Sequence, residues 1–88
     1  MILGINRVFR HGDRELHLQA EDLGTVHGAF EIRVYEGGTV LWQKRLPYAA
    51  DIPGDDAAKG ERQQALRAQM ESTLRTVEAG IAQGRIGG

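Results

Sequence analysis

Apolar residues recur along the second half of the chain at the spacing of one helical face. Leu66, Met70, Leu74, Val77 and Ile81 are separated by 4, 4, 3 and 4 positions, which at 3.6 residues per turn places all five on one side. The spacing predicts a helix over 61–83. Glu71 and Arg75 stand four apart in the favourable order on its far side. Gly84 is placed to end it, and Gly80 is an interior weak point costing about 1 kcal/mol against Ala.

The first half alternates instead. Two hairpins are expected, Ile5 to Ala20 and Ala29 to Leu46. In the first, a two-residue His11-Gly12 turn sets Phe9 opposite Arg14 and Ile5 opposite Leu18. Ile5, Phe9, Leu16, Leu18 and Ala20 then share a face. In the second, a two-residue Gly37-Gly38 turn puts Trp42 on the opposite face from Phe30 and Ile32. A three-residue turn with Gly38 as a bulge gathers Phe30, Ile32, Val34, Val40, Trp42 and Leu46 on one side, and is the expected arrangement. Residues 21–28, with two glycines and the Glu21-Asp22 pair, are expected to form a loop. Pro47 and Pro53 mark a connector over 49–60, with Asp55 or Asp56 available to cap the helix.

The expected architecture is therefore a single α+β domain over 1–88. Residues 1–48 form a four-stranded antiparallel meander with open edges at its first and fourth strands. Helix 61–83 crosses one sheet face, and 84–88 form a flexible tail. The carboxyl-terminal Arg85-Ile86-Gly87-Gly88 resembles the tail of ubiquitin-like modifiers. Those folds place their helix between two hairpins, whereas here it follows both.

Composition narrows function by exclusion. The chain has 88 residues and a net charge of −1, so no global field draws it to nucleic acid or anionic lipid. It has no cysteine, which removes disulfides, thiolate zinc sites and thiol nucleophiles. The apolar start, Met1-Ile2-Leu3-Gly4-Ile5, is shorter than the 7–15 residues of a signal-peptide core, so a cytoplasmic location is expected. No phosphate-cradling motif is present, and Ser72, the one serine, falls inside the helix. His11, His17 and His27 have no metal-ligand spacing and are expected to be exposed. No cofactor, metal or catalytic group is expected.

The open sheet face is expected to show Glu31, Arg33, Tyr35, Leu41, Gln43 and Arg45. Tyrosine and arginine are enriched at interface hot spots, so Arg33, Tyr35, Leu41, Gln43 and Arg45 form the candidate partner site. The expected function is a small non-enzymatic interaction module, an adaptor or regulatory subunit working through this face and the fourth-strand edge. Its expected partner is a signalling or assembly protein, such as an α/β switch domain of the small-GTPase or receiver type, or a second copy. A nucleic-acid-binding sheet is the alternative, and a small enzyme or metal-binding protein the second alternative.

Overall fold

The computed structural model describes residues 3–53 and 59–86. Four strands, β1 (Gly4–His11), β2 (Arg14–Asp22), β3 (Ala29–Glu36) and β4 (Thr39–Pro47), precede one helix, α1 (Lys59–Ala82). They form one antiparallel sheet in the order β1-β2-β3-β4, the α+β meander that the periodicities imply. The caps proposed at Asp55 and Asp56 lie outside the described residues. Among the described residues, no helix is long and apolar enough to cross a membrane.

One core lies between sheet and helix. Ile5, Leu16, Leu18, Ala20, Phe30, Ile32 and Val34 from the sheet meet Leu66, Met70, Leu74, Val77 and Ile81 from α1. Every helical residue named by the 4-4-3-4 spacing is buried. The helix approaches β1 and β2 most closely. As a result no residue of β4 is buried, and Trp42 and Leu46 are only partly covered at the margin of the core.

Both hairpin turns differ from the sequence expectation. The first turn is Gly12-Asp13, which sets Ile5 opposite Ala20 and Phe9 opposite Leu16. A turn of this length with glycine at its first central position matches the twist of the flanking strands, and Gly12 has φ 64° there. A His11-Gly12 turn of the commonest type would force His11 itself to positive φ, costing about 1–2 kcal/mol. The register moves by two residues, so the apolar set keeps its face.

The second turn is the two-residue Gly37-Gly38, with φ of 58° and 83°. Glu36 opposes Thr39 and Tyr35 opposes Val40, but Val34 opposes Trp42, and the ladder is irregular between Val34 and Tyr35. The extra residue therefore sits within β4 instead of in the turn. It returns Trp42 to the core side, as expected, and sends Val40 to the open side, against the expectation. Val40 is 44% exposed.

Three further corrections concern ends and flanks. Strand β2 extends through Glu21 and Asp22, which the sequence assigns to a loop, because Asp22 finds partners from distant segments. Glu71 turns back to Arg67 at 3.4 Å instead of forward to Arg75. At the carboxyl end, residues 84–86 close the helix instead of forming a loose tail. Gly84 N donates to Ile81 O at 3.0 Å and Arg85 N to Gly80 O at 2.8 Å, the pair of bonds that satisfies the last carbonyls of a helix. Ile86 folds over Gly80, where a Cβ would stand 2.8 Å from its Cδ1. The interior glycine is thus the space that this side chain occupies.

Candidate functional site

The alternation of the four strands leaves one sheet face without a covering layer among the described residues. Cross-strand partners share a face, so the registers arrange the open side in rows running across the sheet. One row is Val8, His17, Tyr35 and Val40. The next is Asn6, Gln19, Arg33 and Gln43, and the third is Gly4, Glu21, Glu31 and Arg45. The first row joins two exposed valines, Val8 at 53% and Val40 at 44%, through an imidazole and a phenol. The second is made wholly of amide and guanidinium groups.

Tyr35 is the centre of this surface. Its hydroxyl donates a long bond of 3.4 Å to Gln19 Oε1, which leaves most of its bonding capacity unused. A shallow cavity of about 310 Å³ opens beside it, lined by Asn6, Arg7, Val8, His17, Leu18, Gln19 and Tyr35. Charges at the margins are largely internally matched. Arg33 pairs with Glu31, Arg10 with Glu15 at 2.9 Å, and His17 lies 3.8 Å from Glu15. Arg45 stands opposite Glu31 and is exposed.

Of the residues named from sequence, Arg33, Tyr35, Gln43 and Arg45 lie on this face. Leu41 sits at the β4 irregularity and is 37% exposed; Val40 takes the place opposite Tyr35. The sequence reading passed over Asn6, Val8, His17 and Gln19. They lie on the other hairpin, and only the β2–β3 register joins Val8 and His17 to Tyr35, and Asn6 and Gln19 to Arg33. His11, His17 and His27 are all exposed. Among the described residues, no group of three or more His, Asp or Glu side chains is placed to hold a metal ion.

A second cluster, also unforeseen, ties three distant segments together on the other side. Asp22 is 7% exposed. Its Oδ1 accepts Gly24 N at 2.9 Å and the hydroxyl of Tyr48. Arg62, from the start of α1, donates to that same hydroxyl at 2.9 Å and lies 3.7 Å from Asp22 Oδ2. Its guanidinium also stands 5.4 Å from the centre of the Tyr48 ring. Tyr48 N donates to Gly28 O at 2.9 Å, and Gln69 holds the neighbouring backbone by accepting from Ala49 N at 2.9 Å. The cluster therefore anchors the chain leaving β4 to both the β2 end and the helix.

Burial, and then the bond donated to Asp22, push the Tyr48 phenol up to about 12. An unfolded phenol ionises near 10. A group raised on folding contributes its stability below the unfolded value and loses it as pH climbs through the folded one. The expected result is a stability difference between the native chain and Tyr48→Phe that is constant below pH 10 and shrinks between about 10 and 12. Urea midpoints measured across that range test it. A difference that stayed flat would show the phenol to be unperturbed.

Comparison of the chain with protein-family models, with curated proteins and with solved structures finds no match.

Proposed function

We propose that this chain is a non-enzymatic protein-binding module that takes its partner on the open face of the sheet. The observation that carries this reading is the Val8–His17–Tyr35–Val40 row, an uncovered apolar and aromatic band spanning all four strands. An amide and guanidinium row flanks it. An apolar centre with a polar surround that offers hydrogen bonds is the ordinary anatomy of a protein interface. The near balance of charge around it suits a folded protein better than a polyanion, whose binding would require uncompensated cations. The partner is a signalling or assembly protein, with α/β switch domains of the small-GTPase or receiver type as the class to examine first.

The test begins by capturing partners on the immobilised chain and identifying them by mass spectrometry. Affinity for each captured protein is then compared among variants. Tyr35→Ala is expected to weaken binding by about 2 kcal/mol or more, the loss typical of a central aromatic anchor. Val40→Glu, which sets a charge opposite Tyr35, is expected to weaken it as well, with the fold retained in both. The affinity should change little with moderate salt. Normal binding of every partner by both variants, or a steep salt slope with nucleic acid as the ligand, overturns the reading.

A further inference from the structure

The two edges of this sheet are not equally defended. Strand β4 carries an irregularity near its start, the adjacent cations Lys44 and Arg45, and Pro47 at its end. Each of these discourages pairing with another strand. Strand β1 has no irregularity, no proline and no adjacent cations; its two arginines, Arg7 and Arg10, are already engaged within the chain, Arg7 with Glu78 at 3.8 Å and Arg10 with Glu15 at 2.9 Å. All eight of its residues, Gly4 to His11, pair with β2 without a shift, and it contains neither proline nor lysine. Its outer side meets no other strand among the described residues. A regular, unguarded edge is a template for further antiparallel pairing.

We propose that β1 pairs antiparallel with β1 of a second copy about a twofold axis at Val8, giving a continuous eight-stranded sheet. The register follows from two constraints. Core faces must match, because a slip of one residue would turn one copy's apolar side to solvent. Like charges must not stand opposite each other. Two face-matched registers each use seven of the eight β1 residues, Gly4–Arg10 or Ile5–His11. The first centres on Arg7 and sets it against Arg7 of the second copy. The second centres on Val8 and opposes no like charges: Val8 meets Val8, Arg7 meets Phe9, Asn6 meets Arg10 and Ile5 meets His11.

This pairing covers a valine that is 53% exposed in the single chain and sets a guanidinium beside an aromatic ring. It also brings the two helices alongside one another on the same sheet face, since α1 lies closest to β1 and β2. On the other face the Val8–His17–Tyr35–Val40 row continues into its counterpart. A single strand pair is smaller than the roughly 1,200–2,000 Å² of a standard interface, so the dimer forms in the micromolar range or above. It requires no particular partner on the open face.

Sedimentation velocity on the full chain, from micromolar to near-millimolar concentration, should show a shift from 9.7 kDa to twice that mass. Val8→Lys places a cation against its own copy and is expected to raise the dimer dissociation constant by about tenfold or more, with an unchanged circular-dichroism spectrum. Because the chain has no cysteine, a single introduced thiol reports on geometry. Val8→Cys should give a covalent dimer with a short thiol cross-linker, and Gln43→Cys, on β4, should not. A monomer at every concentration overturns the proposal, as does cross-linking through Gln43→Cys in preference to Val8→Cys.

Discussion

Asp22→Ala is expected to destabilise the fold by about 3–5 kcal/mol, the usual cost of stranding one member of a buried ion pair. Asp22 is 7% exposed, and its carboxylate serves three groups together. Without it, Gly24 N and the Tyr48 hydroxyl lose their acceptor. The Arg62 side chain, 16% exposed, loses its counter-charge. Its Nε is already buried with no hydrogen-bond partner among the described residues, and the uncharged Tyr48 hydroxyl that accepts from its guanidinium does not replace the lost counter-charge. Asp22→Asn keeps an acceptor and removes the charge, and should fall between the native chain and the alanine variant. The pairwise origin is tested by a cycle: Arg62→Met with Asp22→Ala should cost clearly less than the sum of the two single changes. Urea unfolding followed by Trp42 fluorescence measures the native chain and all four variants. A loss below about 1 kcal/mol for Asp22→Ala would place the pair among solvated surface bridges.

That cluster also marks where reading along the chain stops working. Face assignment was accessible from local pattern: Ile5, Phe9, Leu16, Leu18 and Ala20 share a side in either register of the first hairpin, since a shift of two preserves alternation. The turn itself was decided by backbone chemistry, glycine at the first central position, which a hydrophobic pattern does not contain. In the second hairpin, apolar periodicity required an extra residue between Val34 and Trp42. It did not say whether that residue belonged to the turn or to the strand, and the answer decided the side that Val40 occupies. The end of β2 was not visible locally at all. An acidic pair beside glycines has the composition of a loop, and Asp22 is held in the strand by Tyr48 and Arg62, 26 and 40 positions away. The same limit applies to the open face. Arg33, Tyr35, Gln43 and Arg45 follow from one hairpin, whereas Val8 and His17 join them only through a pairing between hairpins.

Phe30→Ala is expected to cost about 3–5 kcal/mol, the transfer free energy of the ring together with the cavity left behind. Phe30 has no exposed surface and is the largest fully buried side chain. It lies on an interior strand, between Asp22 on β2 and Leu46 on β4, so no solvent-facing margin is free to collapse inward. Trp42→Ala removes a larger ring but from the partly covered edge, and should cost less than Phe30→Ala; the reverse order in urea unfolding would mean that the core extends over β4. A domain of 88 residues has a total stability of only about 5–15 kcal/mol, so Phe30→Ala is expected to leave a substantial unfolded fraction at physiological temperature. It will then reduce binding to any partner without touching one. Tyr35, five positions along the same strand, faces the opposite way and contributes little to the core. Strand β3 thus separates the two effects by alternation, with Phe30, Ile32 and Val34 holding the fold and Glu31, Arg33 and Tyr35 on the open face. Binding lost by Tyr35→Ala at unchanged urea midpoint is a contact effect. Binding lost by Phe30→Ala should return when a stabilising osmolyte restores the folded fraction, and a failure to return would place Phe30 in the interaction itself.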